Sequence, residues 1–280
     1  MQELGALPDL DVQQYDVHPA LGRHRVLDPR SLAYRRPYTG ETIRTVEWAP
    51  RVPVLDQQDL LAQGIRTSEM FDGVQDVDAL GSCTANAATA ALSVLLSADA
   101  CAAAGLDTTD PVAAEQFAIG LYADATTCDQ WMDATWPSDD SGSSGLGVAK
   151  ALRRRGLIDQ YGHATSAEEL CMLLQTGPVL MGMEWRDAFF EPVSNVALLD
   201  EIPNWESSPV AGGHEVLITA LESVAEVEGE FSYEHTVIRV RNSWSASWGD
   251  SGSFRMSLAL YQQMRGAIDL VQPRLDRTSR

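Results

Sequence analysis

Three observations predict an α+β fold. Ala- and Leu-rich runs with helical spacing fill the first half of the chain. Short β-branched or apolar runs, bounded by Gly, Pro and Asn, fill the second. The two kinds of segment are separated along the chain instead of alternating, which is the α+β pattern and not the βαβ one. With 280 residues, 45 % of them hydrophobic and 21 % charged, the chain can bury one large core or two smaller ones sharing an interface.

Residues 1–50 are polar, Arg-rich in places and punctuated by Pro and Gly, and read as an extended wrapping segment. RVPVLDQQDL, residues 51–60, reads as a short strand or turn, and residues 61–80 as a loop holding one helical turn. GSCTANAATAALSVLLSADACAAAG then changes character. Ala85, Ala88, Leu92 and Leu95 recur at spacings of three and four, and Ala is the best helix former, so a helix is expected to start near Cys83. Further helices are expected over 112–124, 144–155 and 166–175. PVLMGMEW, HEVLITALES, EHTVIRVRNSW and GSFRMSL read as strands. The expected division is 1–50 as wrap, 51–165 as a helical lobe and 166–280 as a β-rich lobe.

The 40 acidic and 20 basic side chains leave a formal charge of −20. Nucleic acid is held by clustered Lys and Arg, so no nucleic-acid partner is expected. No run reaches the roughly 18 apolar residues of a membrane span, and MQELGALPDLDVQQYD is no secretory signal, so membrane insertion is not expected. Ordinary Sec secretion is not expected either. Four cysteines are too few for a disulfide scaffold.

The chemistry centres on three motifs. Cys83 lies in Gly-Ser-Cys-Thr at an expected helix N-terminus, where the partial positive charge favours a thiolate; the position by itself also suits a buried cysteine in an Ala-rich helix. His214 follows the Gly212-Gly213 pair, which permits close approach of a backbone or ligand. Asn242 precedes Ser243 and Trp244, and an Asn amide oxygen can accept from an imidazole N–H and fix its tautomer.

Together GSC, GGH and NSW…WG, in the order Cys, His, Asn with His214 131 and Asn242 159 residues after Cys83, resemble the papain-like cysteine peptidases. The GSCTANA form and DSGSSGLGVAKALRRRGLI look like the bacterial and bacteriophage branch. The resemblance covers roughly residues 51–262. It implies a papain-like two-lobed fold, a helical lobe and a β-barrel-like lobe with the cleft between them. It implies hydrolysis of peptide or amide bonds through Cys83 as nucleophile, His214 as base and Asn242 as orienter, with no cofactor and no metal. It further implies an oxyanion site made by the Cys83 N–H and a glutamine. The family's Gln lies six residues before the nucleophile, where this chain has Val77. Gln57 is the favoured substitute, with residues 61–80 as an insertion after it, and Gln75 is the rival. The insertion is either a lid carrying Met70, Phe71 and Asp72 or an inert excursion. Ser245 stands where the family has Gly, which suits Ser unless the backbone needs a positive φ.

Asp140, Ser141 and Gly142 resemble the Gly-rich segment that binds a substrate strand by β-type hydrogen bonds. Gly213, Trp185 and Trp244 are further candidates for the substrate cleft. Peptide or protein substrates follow, peptidoglycan peptides among them. An inactive scaffold, such as a phage-particle component, and a cell-wall cross-peptide amidase are the alternatives. No long helical pro-region is visible, so activity is expected without N-terminal cleavage. The acids Asp56, Asp59, Asp72, Asp76, Asp78, Asp139 and Asp140 flank the motifs and are expected to favour basic or neutral peptides.

Overall fold

The computed structural model describes residues 10–17, 20–66, 79–192 and 196–275. The helices are α1 (Gln57–Ala62), α2 (Cys83–Leu95), α3 (Ala98–Ala103), α4 (Pro111–Cys128), α5 (Gly145–Arg154), α6 (Ala167–Leu174) and α7 (Leu258–Met264). The strands are β1 (Asp11–Gln13), β2 (Arg23–Leu27), β3 (Val46–Glu47), β4 (Ser143–Ser144), β5 (Gln160–His163), β6 (Val179–Arg186), β7 (Val210–Ser223), β8 (Glu226–Val227), β9 (Glu230–Phe231), β10 (Val237–Arg241), β11 (Ser253–Ser257) and β12 (Asp269–Arg274).

The four helices expected from periodicity form within a few residues of their expected bounds. Their starts have a local cause. Ser144 and Ser166 cap α5 and α6 with side-chain oxygens, and Asp110 caps α4 ahead of Pro111. Segment 51–60 differs from expectation: Asp56 accepts from Gln58 N at 2.8 Å, and this cap turns the following residues into α1 instead of a strand. The edge strand β5 and its inner neighbour β12 escape a sequence reading because each gains its partners only in the sheet.

The main sheet is antiparallel, in the order β11-β10-β7-β6-β12-β5, with β3 also pairing with β7. Among the described residues no ladder joins β11 to β5, so the sheet is open and not a closed barrel. Two apolar clusters form. One gathers α1–α5 around the almost wholly buried α2, whose alanines let neighbours approach closely. The other gathers α6, α7 and the sheet around Trp185, Phe189 and Phe254. α2 lies against β7 and β6, which brings the start of α2 and the start of β7 to one place.

In the described part of the N-terminal segment, β1, β2 and β3 are extended and Pro29–Tyr34 form a short 3-10 helix. β2 pairs in parallel with β4 in the register Arg23–Ser143 and His24–Ser144. Residues 20–24 thereby become a strap laid over the junction of α2 and β7.

Candidate active site

Cys83 is the first residue of α2 and is 3 % exposed. Helix geometry leaves the first-turn N–H groups without intrahelical acceptors, so the N–H of Cys83 is available to an anion. The sulfur accepts from the backbone N–H of Glu215 at 3.4 Å, which places the nucleophile candidate one residue from His214 on β7. The strap changes its acidity. Burial pushes the Cys83 thiol up to about 12; the N–H groups of Glu215 and Gly22 act the other way, the Glu215 carboxylate raises it further and Arg23 lowers it.

His214 is fully buried between two aromatic faces. Trp244 stacks on it at 4.7 Å and 24°, and Trp185 meets it edge-on at 5.0 Å. Its Nε2 lies 2.7 Å from Asn242 Oδ1, which also accepts from the Ser243 N–H at 2.8 Å. A backbone N–H can only donate, so the Asn242 atom facing it is the oxygen. The His214 nitrogen facing that same oxygen must carry the proton. In the neutral ring the lone pair is therefore on Nδ1. Trp244 covers this array, so the tautomer is held in a dry setting.

Gln57 opens α1, and its side chain reaches the loop before Cys83. Leu80 N donates to its Oε1 at 2.7 Å, which orients the amide. Its Nε2 then donates to Ser82 Oγ at 2.9 Å and to Glu115 Oε1 at 2.7 Å. Glu115 also takes both hydrogen bonds of Asn86 Nδ2, at 3.0 and 2.9 Å. Gln57 thus stands beside the nucleophile with both amide hydrogens engaged. Sequence reasoning missed Glu115. It lies fully buried, with burial raising its carboxyl pKa, and the one signal was an acid inside VAAEQFAIGL. Gln75, Val77 and the lid residues Met70, Phe71 and Asp72 lie outside the described residues.

The cleft candidates divide. The segment 141–143 does receive a strand by β-type bonding, but the strand is the chain's own strap: Ser143 N donates to Gly22 O at 2.8 Å, and His24 Nε2 donates to Ser141 O at 2.7 Å. Gly142, at φ +75°, leaves no room for a Cβ, which would fall 2.5 Å from Gly22 O. A Cβ on Gly213 would land on the carbonyl of Arg23, so the strap passes between these two glycines. Asp140 is corrected from cleft residue to anchor: its carboxylate takes the Gly81 N–H at 3.0 Å and the Tyr122 hydroxyl at 2.6 Å, fixing the approach to Cys83. Trp185 is corrected too, because it is fully buried and supports His214 from within the core. Trp244 remains at the cleft, half-buried. Ser245 adopts φ +69°, the left-handed conformation that favours the family's Gly.

Of the acids expected near the cleft, Asp56 borders the cavity that also holds Cys83, Gln57 and Trp244. Asp56 caps α1, Asp59 and Asp139 face solvent, and Asp72, Asp76 and Asp78 lie outside the described residues. The acids at the strap are Glu215 and Asp269, which face Arg23. The expectation of activity without loss of N-terminal residues also meets a physical obstacle, since the strap covers Cys83 and excludes a substrate from the same backbone positions.

The chain matches xylellain, a cysteine protease from Xylella fastidiosa, over 92 % of its own length and 97 % of that chain, with TM-score 0.58 and 18 % identity. The fold is papain-like. A second match is digestive procathepsin L 3 from the larval midgut of Tenebrio molitor, covering 91 % of this chain and 76 % of that one, with TM-score 0.51 and 14 % identity. No family model matches the chain, and no curated protein matches it in sequence. In the papain-like fold of this chain, no described helix is long and apolar enough to cross a membrane.

Proposed function

We propose that the chain is a cysteine peptidase that cleaves peptide bonds by an acyl-enzyme route. The observation that carries the reading is the fixed proton position on His214. With Nε2–H directed to Asn242, Nδ1 is the basic nitrogen of the neutral ring and takes the Cys83 proton. Once the strap withdraws, water and substrate replace it and the burial that holds the thiol neutral is relieved. Cys83 then attacks the amide carbonyl as the thiolate, and the imidazolium returns a proton to the leaving amine. The resulting thioester is hydrolysed by a water that His214 deprotonates.

The developing oxyanion is received by the Cys83 N–H and by Gln57, after Gln57 exchanges its bond to the Ser82 hydroxyl for one to substrate. Such donors each supply about 2.7–4 kcal/mol. Both similar structures carry names of cysteine proteases, one of them in a pro-form, which supports the reading and is in keeping with a strap over the site.

The competing reading is an inactive scaffold. It is favoured by the engaged amide of Gln57 and by a thiol held up to about 12. A thiol-directed epoxide separates the two. A single adduct on Cys83 in the strap-lifting variant Gly22→Ala, with peptide hydrolysis lost in Cys83→Ala, is the expected result. No adduct and no hydrolysis in Gly22→Ala favours the scaffold.

A further inference from the structure

Every described α-helix except α2 begins on a side-chain cap, an Asp or Ser oxygen that accepts from its first turn. Ser82 holds the cap position of α2 and makes no such bond; its hydroxyl donates to Asn86 Oδ1 at 2.9 Å instead. The first N–H groups of α2 are thereby left uncapped. The placing of Cys83 falls to groups from elsewhere in the chain.

Gly81, two residues before Cys83, gives its N–H to the Asp140 carboxylate, at 3.0 Å from Oδ2 and 3.2 Å from Oδ1. The Tyr122 hydroxyl, from the middle of α4, meets the same carboxylate at 2.6 Å and the Gly142 N–H at 2.8 Å. A backbone N–H only donates, so the hydroxyl accepts from Gly142 and sends its one proton to Asp140. A directed chain results, from Gly142 N–H through Tyr122 O–H to Asp140, and Gly81 N–H closes on the same carboxylate. Each bond polarises the next.

This link is firmly seated. Tyr122 is fully buried, and Trp136 lies against its ring with centroids 6.1 Å apart. Burial raises the Asp140 carboxyl and Asp139 adds to this, while the Tyr122 hydroxyl and the Gly81 N–H oppose it. The carboxylate is thus held by the two donors it joins. One end of the link is the loop that aims Cys83. The other is Gly142, beside Ser143, whose N–H holds an extended strand, here the strap carbonyl of Gly22 at 2.8 Å. The offset between such a strand and the sulfur is therefore set by Tyr122 and Asp140 together, and by neither loop alone.

We propose that Tyr122 and Asp140 are positioning residues: their hydrogen-bonded link fixes where a peptide strand on Ser143 presents its carbonyl to Cys83. The proposal rests on the peptidase reading for that strand being a substrate; its test reads alignment without turnover.

The test uses the full-length chain with Arg23→Ala, which removes the buried anchor of the strap on Asp269 and leaves Gly81 unaltered, or with Gly22→Ala where iodoacetamide finds Cys83 still covered. This parent is compared with the same chain carrying Tyr122→Phe or, as a second break in the link, Asp140→Asn. Two reagents are followed by intact mass spectrometry. Iodoacetamide needs only a reactive thiol, whereas a peptidyl epoxide needs a strand aligned over it. Tyr122→Phe is expected to lower the maximal rate of epoxide labelling by roughly tenfold or more, with the half-saturating concentration and the iodoacetamide rate each within about threefold of the parent. Asp140→Asn should act in the same way, and the double variant should be no slower than the slower single one, because both break one link. An unchanged maximal rate in both variants, whatever their melting temperatures, overturns the proposal. So does an equal fall with both reagents, which places the effect on the thiol, and so do additive losses. A parent that takes no epoxide overturns it as well, since no strand is then aligned. A chain that hydrolyses no peptide yet shows the epoxide effect refutes the peptidase and keeps the positioning pair. A chain that hydrolyses peptides at the parent rate with Tyr122→Phe does the reverse.

Discussion

Glu215 donates its backbone N–H to the sulfur of Cys83, 132 residues earlier in the chain, across 3.4 Å. This contact joins the start of α2 to the start of β7. It also puts His214 and the Glu215 carboxyl on either side of one backbone group, the first facing Asn242 and the second Arg23. The same few ångströms therefore serve nucleophile, base and occlusion, and most of the consequences below follow from that crowding.

Lifting the strap is expected to expose the nucleophile. A Cβ at position 22 would land on the Gly81 backbone, which cannot yield as a side-chain tip does. Gly22→Ala should therefore displace residues 20–24 and raise the rate of Cys83 alkylation at neutral pH by at least roughly tenfold, as the thiol returns from about 12 toward the ordinary range. An unchanged rate, measured by mass spectrometry, removes the strap as the barrier.

In a strap-lifted background, His214→Ala is expected to lower kcat/KM by roughly 10²–10⁴-fold, the usual worth of a positioned general base. Asn242→Ala should lower it by less while leaving Cys83 labelling measurable, because it releases the ring without removing it. Steady-state kinetics on a fluorogenic peptide checks both; equal losses would falsify the orienting role of Asn242.

Glu215 makes stability pH-dependent. Burial raises its carboxyl from 4.5 to about 8, with Arg23 opposing. Between those values the folded chain keeps a proton that the unfolded chain has released, so this group's contribution is full below pH 4.5 and is lost as pH rises to about 8. Arg23, Asp269 and Cys83 share its surroundings. Thermal melts from pH 5 to 8 should show a steeper fall for wild type than for Glu215→Gln, at most about 1.4 kcal/mol per pH unit. Parallel curves would mean that Glu215 does not titrate differently in the fold.

Glu115→Gln is expected to destabilise the chain by about 1–3 kcal/mol in urea unfolding. The carboxylate accepts from Gln57 and Asn86, and both are donors. A glutamine must turn its own NH2 toward one of them. A neutral outcome would show that water takes over these bonds.

Ser245→Gly relieves a left-handed residue, a gain of about 1 kcal/mol, but gives up the hydroxyl that accepts from Ser247 N at 3.1 Å. The net change expected in urea unfolding is a small stabilisation, below about 1 kcal/mol. A marked loss of stability would mean that the Ser247 contact dominates.

What was legible in the sequence is what local chemistry decides. The helical period of α2, the Ser and Asp caps of α4 to α6, and the strand runs around His214 and Asn242 depend on neighbours within a few residues, and each was read near its place. The GGH and NSW motifs drew attention to the segments in which Asn242 and Trp244 contact the ring of His214. Gln57 lies near Cys83 in the fold, while its rival Gln75 lies outside the described residues.

The rest was decided by tertiary structure, since it depends on which distant groups share a desolvated space. Nothing around Arg23 in LGRHRVL announces that its guanidinium will be buried between carboxyls from β7 and β12, and the charge of −20 does not say which acids reach the cleft. Asp140 and Trp185 looked like cleft residues from their neighbours, and the packing turned both inward. Whether Cys83 is exposed or covered is likewise unreadable from GSCTANA, because the covering strand comes from some sixty residues earlier and is held by backbone bonds that carry no side-chain signature.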